Sequence, residues 1–361
     1  VIFLAICPWH IMKARYGLES NIFPNVVLFA ILFMTLGIKK YKMSIFYLGW
    51  ALIGLSTYAY GTSYFFVTIF SIITIPFLLI KKEIKFKNAF IAILIAIVIA
   101  SPIIIMILIN TFDLPEIKFL GFTIPRLFIN RFEGNCSIFS SNFILNSINN
   151  FKTSLKILIM QDENFLWGLT YWYSMPLFLI GAYEAIIKNG KYHITNQIMN
   201  IWFLSAILLL FMVTPGIIRI NIIMLPIIYY IILGLSVILE LYKDKKWILL
   251  VTAIIIGASF IGFATNYFST KYTGAEFVDG IQDTIKYIDS LENKKIYMEY
   301  NFKEPYIYIL FYNKKNPKDF YSTVEYFEDV KIKEFENVKH FDKYYFYIPE
   351  IVERKEGNVY V

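Results

Sequence analysis

The sequence predicts an all-α polytopic membrane domain followed by a small extracytoplasmic α/β domain. Three observations lead there. There are about eight apolar segments of membrane-spanning length. Lysines fill alternate gaps between them, and the chain turns abruptly to charged sequence after Asn266. The 361 residues are 58% hydrophobic and 17% charged, with a mean hydropathy of +0.57, whereas a soluble domain is roughly one-quarter charged. Runs such as 91–109 need a nonaqueous solvent, because so apolar a chain cannot hide them all in one core.

The spans are read in order as 22–38, 44–59, 63–80, 89–109, 165–187, 198–213, 217–241 and 247–265. The shorter ones are acceptable if flanking residues snorkel or the bilayer thins. Pro226 is read as a tolerated kink inside the seventh. Lys39, Lys40 and Lys42 fill the first gap; Lys81, Lys82, Lys85 and Lys87 the third; Lys188 and Lys191, then Lys243, Lys245 and Lys246, two later ones. The gaps Tyr60-Gly61-Thr62 and Thr214-Pro215-Gly216 carry no lysine or arginine. By the positive-inside rule the lysine gaps are cytoplasmic and the polar residues of the other gaps face outward. Residues 111–164 then form a long external loop, expected to be functional or to carry its own structure. Within it, 151–160 reads as a short interfacial helix with Lys152 and Lys156 on one face.

The membrane domain therefore occupies 1–266 and the soluble domain 267–361. In the latter, Val278, Ile281, Ile285, Ile288 and Leu291 recur at helical spacing, and 295–300 and 344–348 read as strands. The net charge of +7 lies largely in the lysine gaps, a topology signal that leaves no role for nucleic acid as a partner. Two cysteines, Cys7 and Cys136, are too few for a disulfide framework. The first residue, Val1, stands inside an apolar stretch, so further membrane segments are expected upstream.

Four polar clusters interrupt the apolar background. Arg15 and Glu19, within the stretch from Pro8 to Asn21, would share one face of a helix at i, i+4. They read either as an interfacial salt bridge anchored by Trp9 and Tyr16, or as a guanidinium that clamps a phosphate and a carboxylate that orients it. His10 has no partner at metal-site spacing. Tyr58 and Tyr60 form either an aromatic belt at a glycine turn or the wall of a sugar pocket. Arg219 and Asn221 enter the seventh span; a snorkelling arginine explains the first, but Asn221 is a polar group inside apolar sequence. Asp162, ahead of Trp167, reads as a helix cap or a pocket residue. The C-terminal domain has no glycine-rich phosphate loop and no nucleophile motif.

The stretch from Pro8 to Asn21, the Tyr58-Ala59-Tyr60-Gly61 turn, the run Gly168-Leu169-Thr170-Tyr171-Trp172-Tyr173-Ser174-Met175-Pro176 and Arg219-Ile220-Asn221 together resemble bacterial members of glycosyltransferase family 39. These are dolichyl-phosphate-mannose-protein-mannosyltransferase-like proteins of the GT-C fold. The resemblance covers residues 1 to about 265, and Tyr306-Ile307-Tyr308-Ile309-Leu310-Phe311-Tyr312 is similar to the external domain that many such proteins append. It implies an inverting transfer of a sugar from a polyprenyl-phosphate carrier to a protein, lipid or glycan acceptor at the outer membrane face. It implies Arg15 and Glu19 as catalytic residues, with Glu19 standing where Asp is usual. It implies Arg219, Asn221 and His10 at the donor phosphate, and Tyr58, Tyr60, Asp162 and Trp167 around the substrate. The family's general base, an Asp in the first external loop, would lie upstream of Val1. No cofactor is required by this reading, and a divalent metal is left open. The rival class is a transporter or lipid flippase, which would carry charge near the bilayer midplane; here the polar clusters gather at one face.

Overall fold

The computed structural model describes residues 2–119, 121–126, 141–160, 168–188, 193–269, 280–292, 294–299, 304–327, 338–348 and 357–361. Contacts divide the chain into a larger unit ending at Phe263 and a smaller one running from Ala264 to Val361.

The larger unit is helical. Two short helices, α1 (Ile2–Ile6) and α2 (Pro8–Ala14), lead through a 3₁₀ turn, Glu19–Asn21, into α3 (Ile22–Lys39). Then follow α4 (Met43–Ser56), α5 (Ser63–Ile80) and α6 (Phe86–Thr111). A β-hairpin, β1 (Ile117–Phe119) and β2 (Phe122–Ile124), turns at Gly121, whose φ of +82° suits glycine. Its flanks are joined by an Arg126–Asp113 ion pair of 2.6 Å. The amphipathic α7 (Phe143–Met160) comes next, then α8 (Ser174–Tyr183), which widens into a π-turn at Glu184–Lys188. The unit continues with α9 (His193–Met212), α10 (Ile217–Ile220), a 3₁₀ turn Asn221–Ile223, α11 (Met224–Leu241) and α12 (Lys246–Tyr267).

Among the described residues six helices are long and apolar enough to cross a membrane: Glu19–Lys39, Ser63–Ile80, Phe86–Thr111, His193–Met212, Ile217–Leu241 and Lys246–Tyr267. Met43–Ser56 is apolar but shorter. Two of the eight expected spans therefore depart from expectation. The second stops at Ser56, where Ser56 and Thr57 hydroxyls donate to the Ile53 and Gly54 carbonyls and close the helix. The fifth, expected over 165–187, has no helix at 168–173 and starts at Ser174; the Leu169 carbonyl is taken by the Trp9 amide instead. Within the seventh span the α-helix gives way to a 3₁₀ turn at Asn221–Ile223 and restarts at Met224, so Pro226 falls in a first turn, where its missing N–H has no helical partner to lose.

Close approaches of backbone hold the helices together. An added Cβ on Gly181 of α8 would lie 1.8 Å from the Tyr230 carbonyl oxygen, and one on Gly234 of α11 would lie 2.0 Å from that of Leu177. In an apolar solvent such contacts, made possible by small residues, are a main source of helix association. Beside this crossing Tyr230 Oη donates to Asn200 Oδ1 at 2.8 Å, and Tyr229 bonds Asn196 on the same face of α9. Asn200 Nδ2 donates at 3.2 Å to the Ala185 carbonyl in the π-turn.

The two ends of the bundle differ. Lys39 at the end of α3 reaches Thr195 Oγ1 at the start of α9, and Tyr47 of α4 bonds Asn88 at the start of α6. The start of α3 and the end of α9 therefore share the opposite end.

The smaller unit carries a five-stranded sheet in the order β4 (Glu325–Tyr326), β5 (Val338–Phe341), β6 (Tyr344–Tyr345), β3 (Lys295–Tyr297), β7 (Asn358–Tyr360). β3 runs parallel to both β6 and β7, and the other pairs are antiparallel. Among the described residues three helices accompany it: α13 (Ile281–Asp289), α14 (Pro305–Tyr312) and α15 (Pro317–Thr323). Ile285 and Ile288 of α13 enter a core with Ile296, Ile309, Phe341, Tyr344 and Phe346, so the helical periodicity reads correctly there. The strands are shorter than expected, ending at Tyr297 and Tyr345. Val278 and Tyr300 lie outside the described residues. Tyr344 Oη donates to Asp289 Oδ1 at 2.5 Å and ties α13 to the sheet. Burial and the adjoining carboxylate push its hydroxyl well above the usual phenol range.

The glycine crossing yields a direct test. Gly181→Ala or Gly234→Ala forces two backbones apart and is expected to destabilise the protein by ~1–3 kcal/mol or more. Gly257→Ala in α12, where an added Cβ meets nothing within 4 Å, should be neutral or stabilising. Thermal unfolding of the three variants in detergent distinguishes them.

Candidate functional site

The polar residues that converge do so at the end of the bundle shared by the start of α3 and the end of α9. The segment before α3 is irregular. α2 opens with Pro8, whose fixed φ suits a first helical position, and ends at Ala14, with Arg15 as its C-cap. Asn21 folds the chain back by donating Nδ2 to both the Lys13 carbonyl at 2.9 Å and the Tyr16 carbonyl at 2.8 Å. Lys13 is buried, its ammonium 5.2 Å from the centre of the Tyr16 ring, a cation–π contact.

This knuckle is clasped from two distant parts of the chain. The Leu169 carbonyl accepts the Trp9 amide at 3.0 Å and faces the Cys7 thiol at 3.5 Å. Tyr171 Oη donates to the Ile6 carbonyl at 2.5 Å, and its ring meets Phe3 edge-on. On another side Asn221 Nδ2 donates to the Ser20 carbonyl at 2.9 Å across 201 positions of sequence. Asn221 is buried, and its 3₁₀ turn is held in turn by Trp202 Nε1, which donates to the Ile222 carbonyl at 3.0 Å. The α10 turn that carries Arg219 thereby packs against the turn that carries Glu19.

Arg219 is half-buried, and Glu19 is exposed at the head of its turn. Neither makes an ion pair among the described residues. Ser20 Oγ and Trp9 Nε1 are buried without a hydrogen-bond partner, again among the described residues. Such groups are uncommon in native interiors. Burial pushes the Cys7 thiol up to about 12 and lowers the pKa of His10, both by disfavouring the charged form. The end of the bundle thus offers a half-buried guanidinium, a neighbouring carboxylate and hydroxyl, and a neutral imidazole one helix back. That set suits an anionic, hydroxyl-bearing ligand.

The sequence expectations fare unevenly here. Arg15 and Glu19 do not share a helical face, because α2 stops at Ala14 and residues 16–18 are not helical. Gly17 and the Asn21 bonds to Lys13 and Tyr16 break the run. Glu19, Arg219 and Asn221 are drawn together. Tyr58 follows α4, and its hydroxyl donates to the Ile99 carbonyl of α6 at 2.8 Å, so it ties two helices. Tyr60 is half-buried in the same turn. Asp162 and Trp167 lie outside the described residues. Asn21, Lys13 and the Leu169–Tyr171 clasp were not singled out as functional. The signal for Asn21 was an amide just ahead of an apolar run, a position where such side chains bond local backbone. Among the described residues no three His, Cys, Asp or Glu side chains gather as metal ligands would.

Six spanning-length apolar helices, with irregular polar turns at their ends, define a polytopic helical membrane protein. No family model, curated protein or solved structure matches the chain.

The Asn221–Ser20 bond is the hinge of the arrangement. Asn221→Ala leaves a buried carbonyl without its donor and is expected to cost ~1–3 kcal/mol. Amide exchange at Glu19–Asn21 should accelerate in that variant and not in Tyr60→Phe.

Proposed function

We propose that this protein is a membrane glycosyltransferase. It moves a sugar from a polyprenyl-phosphate carrier to a protein, lipid or glycan acceptor at the outer membrane face, as the resemblance to glycosyltransferase family 39 implies. The observation that carries the reading is the Asn221–Ser20 hydrogen bond, which packs the turn of a half-buried arginine, without an ion-pair partner among the described residues, against the turn of a carboxylate 200 positions away in sequence. A lipid-facing arginine that merely snorkels needs no such partner.

The chemistry follows from the bond that breaks. An acceptor oxygen attacks the anomeric carbon from the face opposite the phosphate, inverting it. The carbon–oxygen bond to the carrier cleaves, and its electron pair leaves with the lipid phosphate. Charge grows on that phosphate, and a fixed guanidinium at its side stabilises the transition state. Arg219 takes this role, with Asn221 bracing its turn and neutral His10 available as a hydrogen-bond partner. The acceptor proton passes to a carboxylate. The resemblance assigns that base to an Asp of the family's first external loop, with Glu19 and Arg15 orienting the reacting groups. Tyr58, Tyr60, Asp162 and Trp167 line the sugar and acceptor path in this reading.

Orientation follows from the lysine end of the bundle. The turns at Lys39–Lys42, Lys81–Lys87, Lys188 and Lys243–Lys246 are cytoplasmic, and the site and the C-terminal domain face outward. A cysteine at position 40 in intact cells should resist a membrane-impermeant maleimide and react after permeabilisation; reaction in intact cells would reverse the orientation.

The catalytic reading is tested on the full-length protein, reconstituted with a panel of polyprenyl-phosphate hexoses. Arg219→Ala should weaken donor use by roughly ten- to a hundredfold, the equivalent of losing a charge-assisted hydrogen bond. Arg219→Lys should recover only part, because an ammonium lacks the planar fork. Donor kinetics unchanged in Arg219→Ala would remove the arginine from the site.

A further inference from the structure

The 18-residue α7 is not used by the proposed chemistry, and its surface is divided in an unusual way. Ser147, Phe151, Ser154 and Leu158 recur at helical spacing and face the bundle: Ser147 and Ser154 are buried, and Phe151 stacks on Phe211 with ring centres 4.2 Å apart. Next round the helix is a stripe of Ile144, Ile148, Leu155 and Ile159, all exposed, with Ile144 at 71% and Ile159 at 64%. Lys152 and Lys156 border that stripe with Leu145, 59% exposed, between them; Asn149 and Thr153 follow, also exposed, and half-buried Asn146, Ile157 and Asn150 lead back to the bundle. A helix wholly in water would not set four large aliphatic side chains in one exposed row. A spanning helix would not carry two lysines, an asparagine and a threonine on its open side, and α7 is not among the helices apolar enough to span.

Its position completes the argument. Phe211 is in the last turn of α9, and α7 also packs against the α10 turn that carries Arg219. The helix is thus fixed where a span ends, at the level of the bilayer surface. There one side meets protein, the next hydrocarbon, the lysines the headgroups and the remainder water.

We propose that α7 is a membrane-surface helix whose Ile144–Ile148–Leu155–Ile159 stripe lies in the lipid and whose Lys152 and Lys156 bind the anionic headgroups of bilayer lipids beside the Arg219 turn. The occupant is the bilayer, and charge complementarity selects its anionic lipids. This inference stands independently of sugar transfer, since it needs neither donor nor turnover.

The test uses the whole chain in nanodiscs of phosphatidylcholine alone or of equal parts phosphatidylcholine and phosphatidylglycerol. A nitroxide at Ile148→Cys, in a Cys136→Ser background, should be relaxed by oxygen, which partitions into lipid, and shielded from a water-soluble nickel chelate. A label at Thr153→Cys should show the opposite. Nickel access at 148 would mean that α7 stands off the membrane. Exclusion of both reagents at 148 would mean that protein, such as a second copy of the chain, covers the stripe. Either result overturns the proposal. For the charge, Lys152→Gln and Lys156→Gln should each raise amide exchange across α7 roughly fivefold in the anionic nanodiscs, and about thirtyfold together, the factor equivalent to ~1 kcal/mol per lysine. In phosphatidylcholine the variants should match the parent. Equal exchange in both lipids for parent and variants would overturn the selection of anionic headgroups.

Discussion

A backbone amide surrounded by hydrocarbon has no water to bond, so every donor and acceptor along a span must be met within the protein. Much of the larger unit follows from that constraint. It makes the spans helices, and it explains how their interruptions are repaired. Pro102 inside α6 cannot donate to the Val98 carbonyl, and the Ser101 hydroxyl does so instead at 2.8 Å. The π-turn at Glu184–Lys188 leaves the Ala185 carbonyl to the side chain of Asn200. With polar surface accounted for in this way, association falls to close packing, and Gly181 against Gly234 brings α8 and α11 to backbone contact.

The same constraint shapes the irregular end of the bundle. Where the chain leaves regular helical geometry, at residues 16–21, 168–173 and 221–223, side chains tie these turns to other elements. Asn221 serves the Ser20 carbonyl, Trp202 that of Ile222 and Tyr171 that of Ile6. Each bond joins a non-helical turn to another element, so the turns are held in fixed positions rather than left to vary with solvent. A site built on turns needs such bracing, because small displacements of a reacting group are costly. Arg219 inherits its position from Asn221 and Trp202, neither of which need touch a ligand.

The two polar features at this end differ in kind. Arg219 and Glu19 sit on short turns with no ion-pair partner among the described residues. α7 is long, carries its charge on the open side, and turns its small hydroxyls toward the bundle. One gathers charge inward and the other displays it outward. Their contact through α10 links a membrane surface to the candidate site.

Properties that depend on neighbours along the chain were legible in the sequence. The length of an apolar run predicted α3, α5 and α12 to within a few residues, since transfer to hydrocarbon is a sum over local side chains. Helical periodicity marked Ile285 and Ile288 for the core of the smaller unit. Asn221 was visible as a polar group in apolar sequence. Its partner was not, because a hydrogen bond across 201 positions leaves no local trace in either segment. Tertiary structure alone decided that Leu169 and Tyr171 serve α1 and α2 rather than continuing a span, that the helix before Arg15 ends too soon for Glu19 to share its face, and that β7 pairs in parallel with β3. In each case a backbone group had more than one partner within reach, and the choice was made by packing between segments that the sequence keeps far apart.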